Sequence, residues 1–209
     1  GGAALAAQRA TAPPAGRLDV AAATPREPLG WARLLPVVLA SVGLGTVFGS
    51  TEVVTVAFTD EAGSPGAAGV VLAVWAAGSL VAGVLVGAIG SAWAPHRMFR
   101  LATLVLGLSF VPMLFVGSVP LAGAVLVLSG LSISPSLVAS VSLVERLVPP
   151  ARLTEGIGWA TTGLAGGVAL GAAASGAVVD AAGANAGYAV PLAAGALASA
   201  MAFAVRPSR

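Results

Sequence analysis

Six apolar segments, at roughly 34–59, 67–90, 98–118, 120–144, 156–179 and 185–205, take up most of this 209-residue chain. Each holds about 20 to 25 residues, enough at 1.5 Å rise per residue to cross a ~30 Å hydrocarbon layer with some tilt. A backbone in lipid must satisfy its polar groups within the segment, so the segments are expected to be helices. All ten basic residues are arginines, and they fall only in alternate connections. Arg9, Arg17, Arg26 and Arg33 precede the first segment; Arg97 and Arg100 follow the second; Arg146 and Arg152 follow the fourth; Arg206 and Arg209 follow the sixth. Arginine resists translocation, so basic connections stay cytoplasmic. The pattern predicts an all-α integral membrane bundle of six transmembrane helices, with both termini in the cytoplasm.

Composition agrees. The chain is 57% hydrophobic and 9% charged, where a soluble domain carries about a quarter charged residues. The arginines share their side with Asp19, Glu27, Glu145 and Glu155, whereas the opposite connections hold only Asp60, Glu61 and Asp180. The basic surplus is therefore a topology signal facing a lipid bilayer, and no nucleic acid is an expected partner. There is no cysteine and only one histidine, His96. That rules out a disulfide framework, a thiolate or histidine metal cluster and a cysteine nucleophile. No Gly-rich phosphate loop with its lysine occurs. A membrane serine protease needs a histidine at membrane depth, and His96 lies in a connection. Asn185 is followed by Ala186, which excludes a water channel of the paired Asn-Pro-Ala type. The chain is not expected to be an enzyme, nor to hold a cofactor or metal.

Residues 1–33 are rich in Ala, Pro and Arg and read as a flexible cytoplasmic linker, with 34–209 forming the bundle. The chain starts Gly-Gly, with no Met and no signal peptide, and is expected to be a piece of a longer protein. Connections are short, so consecutive helices should be antiparallel neighbours. Trp31, Trp93 and Trp159 fall near the cytoplasmic interface and Tyr188 near the outer one. Glycines recur at four-residue spacing: Gly45 and Gly49, Gly83 and Gly87, and Gly163, Gly167 and Gly171. Such ridges let helix backbones approach closely. Pro112 and Pro135 lie inside the third and fourth segments and should kink or loosen them.

Glu52 is the one ionisable residue well inside a segment. A carboxylate at that depth is costly and normally faces a bundle interior or a water-filled cavity. At 100° per residue, Ser41, Gly45, Phe48, Gly49, Thr55 and Thr59 lie on its side of the helix. The functional reading is a proton carrier or a contact for a cationic substrate; the plain reading is a vestibule carboxylate bonded to Thr55 or a neighbouring helix. Ser129, Ser132, Ser136 and Ser140 form one face of the fourth helix. They read either as a hydroxyl-lined cavity wall, with Pro135 freeing a carbonyl, or as tight packing with each hydroxyl bonded to its own helix. Trp75, the one tryptophan away from an interface, either stacks on substrate or fills a gap. The candidate cavity lining is thus Ser41, Thr55, Thr59, Trp75, Ser129, Ser132, Ser136 and Ser140 around Glu52.

Six spans, a long cytoplasmic arm and a Gly-rich fifth helix resemble the C-terminal half of a major facilitator superfamily transporter. The stretches Phe48-Gly49-Ser50-Thr51-Glu52-Val53-Val54-Thr55, Val144-Glu145-Arg146-Leu147-Val148-Pro149 and Arg152-Leu153-Thr154-Glu155-Gly156 look like actinobacterial members of its efflux branch. The family's loop after the second helix, Gly then Asp then basic residues, is matched only by Gly87 and Arg97; Ser91-Ala92-Trp93-Ala94-Pro95 holds no Asp. The resemblance implies a 3+3 inverted repeat in the plasma membrane, with the first helix of each repeat lining a cavity. It also implies alternating-access export of a small molecule in exchange for protons, against an N-terminal six-helix half as partner. The other reading is a self-contained six-span channel, or a scaffold dimerising through its glycine ridges.

Overall fold

The computed structural model describes residues 28–89 and 93–205, with only the backbone of Ile89. Most of the expected linker (1–27), Arg206 and Arg209, and Ser91 and Ala92 of the loop after the second span lie outside the described residues. Six long helices follow in order: α1 (Trp31–Glu61), α2 (Ala68–Ile89), α3 (Pro95–Leu108), α4 (Val119–Leu147), α5 (Leu153–Ala182) and α6 (Ala189–Ala204). With their flanking helical turns, all six are long and apolar enough to cross a membrane. No strand occurs among the described residues. α1 begins at Trp31, inside the expected arm, and Leu29 before it is already buried.

The third span departs from a single helix. α3 ends at Leu108, and the chain continues through a turn into a 3-10 helix, Pro112–Phe115. Pro112 has no N–H to offer Leu108, and its ring would clash with that carbonyl, so the α-helix stops four residues before it. Pro135, by contrast, sits inside an unbroken α4. There the Ser134 hydroxyl donates to the Ser79 carbonyl at 2.7 Å, which ties α4 to α2 beside the proline.

Sequence neighbours pack less than the short connections predict. α1 packs chiefly on α5 and then α6, and α4 chiefly on α2 and then α3. Among the described residues, the only other large interface joins α3 to α6. Exchanging α1 with α4, α2 with α5 and α3 with α6 maps this pattern onto itself, which is the signature of a 3+3 inverted repeat. α1 is the most enclosed helix, and α5 and α2 are the least. Leu34, Leu44, Phe99, Leu106, Phe110 and Leu126 are fully buried between the helices.

The arginine-bearing ends of the helices gather at one end of the bundle. Trp31 of α1 meets Trp159 of α5 edge-on, ring centroids 5.2 Å apart. Arg100 donates to the carbonyls of Ala202, Phe203 and Val205 at the end of α6 and lies over the Phe203 ring. Arg152 pairs with Glu155. At the opposite end, Glu61 accepts the Ala184 N–H at 2.9 Å and Asn185 donates to the Val116 carbonyl at 2.9 Å. Gly183, with φ of 84°, turns the chain between α5 and a short helical turn, Ala184–Gly187; a side chain would be strained there.

Candidate functional site

A cavity of about 520 Å³ opens between α1, α2 and α4. Phe48 and Glu52 of α1 line it, one turn apart on the same face. α2 contributes Leu72, Trp75, Ala76 and Ser79, and α4 contributes Ile133 and Leu137. Glu52 is exposed to this space and is its only ionisable lining residue among the described residues. It stands nine residues before the end of α1, so about 13 Å below that end at the helical rise.

The aromatic wall is held in place from behind. Trp75 is 5% exposed, and its indole N–H donates to Ser129 Oγ at 3.2 Å. Its ring is tilted against Phe48, centroids 5.4 Å apart. A side-chain atom at Gly130 would fall on the Trp75 carbonyl oxygen, so only glycine permits this approach of α4 to α2. One turn along α2, the Ser79 and Ser134 hydroxyls lie 2.8 Å apart. Ser134 spends its proton on the Ser79 carbonyl, so Ser79 is the donor of that pair.

The expected polar stripe on α1 is split by its neighbours. Phe48 and Glu52 face the cavity, but Gly45 and Gly49 face α5, where an added Cβ would fall on the carbonyls of Leu164 and Val168. Gly167 and Gly171 return the contact against the carbonyls of Val42 and Thr46, and Gly163 faces Val38. Thr55 and Thr59, expected as cavity lining, are buried. Thr55 shares a 3.3 Å hydrogen bond with the Tyr188 hydroxyl, and Thr59 donates to its own helix. Ser41 donates to the Val37 carbonyl and meets Ser140 only at a small cleft of about 80 Å³ between α1, α4 and α5. Leu137 lines both that cleft and the Glu52 cavity.

The serine face of α4 is a packed surface rather than a wall of open hydroxyls. Ser132, Ser136 and Ser140 donate to the carbonyls of Leu128, Ser132 and Leu137, and Ser129 accepts from Trp75. A helical serine reaches a carbonyl of its preceding turn without help, so helix periodicity alone leaves both readings open. A Cβ added at Gly83 would lie 3.1 Å from the Ser134 hydroxyl, while nothing lies within 4 Å of one at Gly87. The two instead border a second cavity of about 470 Å³, lined mainly by Leu85, Val86, Trp93, Met98 and Val138 and, among the described residues, by no ionisable group. Phe48, Leu72, Ala76, Ser79, Ile133 and Leu137 were not among the expected lining residues. The signal for Leu72, Ala76 and Ser79 was present, since they share a helical face with Trp75.

A six-helix inverted repeat with one carboxylate in an open cavity narrows the families to consider. The family model of the Major Facilitator Superfamily matches residues 29–209. The chain belongs to the Major Facilitator Superfamily. No curated protein and no solved structure matches it. Within the superfamily frame the chain is a multi-pass membrane transporter. Glu52, on α1, is the carboxylate that lines the cavity between α1, α2 and α4.

Proposed function

We propose that the chain is one six-helix half of a secondary active transporter that exports a small amphipathic molecule in exchange for protons. Its termini lie on the cytoplasmic side of the plasma membrane, and it works by rocking against a second six-helix bundle around a shared midplane site. The observation that carries this reading is Glu52: one carboxylate, set deep along α1, exposed to an open cavity that is otherwise uncharged among the described residues. A group that must bind and release a proton during each cycle needs such access. The exposure of α2 and α5 supports the partner bundle. Gly158, Thr162, Gly166, Ala169 and Ala173 form a ridge of small residues on the exposed side of α5, and nothing lies within 4 Å of a Cβ at Gly158 or Gly166.

The test uses proteoliposomes containing this chain together with its partner half, an imposed proton gradient, and a fluorescent amphipathic substrate. Proton-driven efflux is expected, and Glu52→Gln is expected to abolish it while leaving downhill exchange. Wild-type, gradient-driven efflux in Glu52→Gln overturns the coupling role. Robust flux through the six-helix chain alone overturns the half-transporter reading in favour of a self-contained channel.

A further inference from the structure

α2 and α3 are consecutive helices, yet each packs on α4, and they share no substantial interface among the described residues. The cavity of about 470 Å³ fills the gap they leave. Gly87 and its neighbours on α2 form one wall, Trp93 and Met98 at the start of α3 form the other, and Pro135, Val138 and Ser142 of α4 form the floor. At about 100° per residue, these floor positions lie on nearly the opposite side of α4 from Ile133 and Leu137, which line the Glu52 cavity. The gap therefore turns away from the face proposed to seat a second bundle. Pro135 stands twelve residues before the end of α4, about 18 Å below it at the helical rise. From there to Trp93 the cavity runs the depth of about one leaflet, ~15 Å of hydrocarbon.

The mouth of this cavity is basic. Between Glu61 and Glu145 the sequence holds no Asp or Glu, so α2, α3 and all but the last turn of α4 carry no negative charge. Pro135, Val138, Ser142 and Arg146 step by 3, 4 and 4, which puts Arg146 one turn beyond the floor on the same face of α4. Arg97 lies in the first turn of α3, between the lining residues Pro95 and Met98. Both arginines are exposed, and neither side chain has an ion pair or hydrogen bond among the described residues. Arg100, by contrast, is spent on α6, and Arg152 on Glu155. Glu145 stands a helical step of about 100° from Arg146.

We infer that this cavity is a lipid site. One acyl chain of an anionic phospholipid, from the leaflet at the arginine-bearing end, lies in the gap between α2 and α3, and its phosphate sits between Arg97 and Arg146. A chain of methylenes needs an apolar slot of leaflet depth. The described lining meets that need, since its polar side-chain groups, the Ser142 hydroxyl and the Trp93 indole N–H, lie toward the mouth. An indole exposed there suits the headgroup level. Anionic headgroups are the negative charge that a bilayer offers at that level, and basic pockets between spans take them up. The bound lipid supplies the contact between α2 and α3 that the protein lacks.

The test is native mass spectrometry of the delipidated chain, titrated with phosphatidylglycerol and with phosphatidylcholine of identical acyl chains. One phosphatidylglycerol is expected to bind about tenfold or more tighter than phosphatidylcholine, from two arginines at a lipid surface. Arg97→Gln and Arg146→Gln should each lower that preference and together remove it, whereas Arg97→Lys with Arg146→Lys should keep most of it. Gly87 lines the cavity, and no protein atom lies within 4 Å of a Cβ there. Gly87→Leu is therefore expected to weaken both lipids several-fold. Unfolding temperatures equal to wild type in lipid-free detergent separate lost contact from lost fold. Equal affinity for the two lipids, a preference that survives loss of both arginines, or wild-type binding by Gly87→Leu overturns the inference. So does displacement of the bound phosphatidylglycerol when a second bundle associates, which would assign the gap to a protein contact. Lipid binding requires no flux, so its failure leaves the transport reading standing.

Discussion

Trp75 owes its orientation to one hydroxyl on the neighbouring helix. Ser129→Ala removes the acceptor and leaves a buried indole N–H unsatisfied, a loss of about 1–3 kcal/mol. The expected readouts are a lower unfolding temperature in detergent and a shifted tryptophan emission; an unchanged spectrum would mean that packing against Phe48 alone holds the ring. Ser175 presents the opposite case. Its hydroxyl is fully buried and, among the described residues, is the one buried side-chain polar atom with no partner. Ser175→Ala removes that group, so stability is expected to hold or rise, and a clear drop in unfolding temperature would point to a bridging water. Arg100 stitches α3 to the last carbonyls of α6. Arg100→Ala strips three acceptors of a charged donor and is expected to cost about 1.5–3 kcal/mol, with Arg100→Lys recovering part of it.

At the scale of elements, α1 and α5 are joined by two interlocking glycine ridges. Gly45 and Gly49 sit under the carbonyls of α5, and Gly167 and Gly171 sit under those of α1. Backbone cannot yield as a side chain can, so Gly167→Ala is expected to overpack the interface by about 1–3 kcal/mol. Gly166 is its neighbour in sequence but points to open space. Gly166→Ala is expected to leave the isolated bundle unchanged or to stabilise it by up to about 1 kcal/mol through helix propensity. Paired unfolding curves decide the matter, and equal effects at the two positions would mean that α5 is rotated about its axis. The larger Gly166→Leu adds a second arm. It should spare the fold of this chain yet weaken co-purification with a partner half that docks on this ridge.

For the molecule as a whole, the arginine distribution and the helix order make one joint claim about sidedness. The end where Trp31, Trp159, Arg100 and Arg152 gather is expected to face the cytoplasm, and the end where Glu61 meets Ala184 is expected to face out. The chain lacks cysteine, so single cysteines report cleanly. Ser64 and Ala182 are exposed turn or helix-end positions at the second end, and Ala151 lies at the first; Gly183 is a poorer probe because its backbone is left-handed. An impermeant maleimide added outside intact cells is expected to label positions 64 and 182 but not 151. The reverse pattern would invert the topology and the direction of every step built on it.

The amino-acid sequence by itself determined the six spans, their helical state and the identity of the one deep carboxylate. Each of these follows from a local balance, of apolar length against lipid thickness or of a charge against hydrocarbon, and needs no knowledge of neighbours. The glycine spacing likewise marked Gly45, Gly49, Gly163, Gly167 and Gly171 as sites of close approach, though not which helices would meet. Tertiary structure alone decided what each polar face confronts. Helical periodicity placed Thr55 and Thr59 beside Glu52, but α6 brings Tyr188 onto Thr55, while α2 and α4 leave Glu52 open. It also aligned four serines on α4, yet three of them close onto carbonyls of their own helix and the fourth serves Trp75. A residue's angle on its helix is set by its position in the chain; whether that angle meets water, a partner or its own backbone is set by the helices around it.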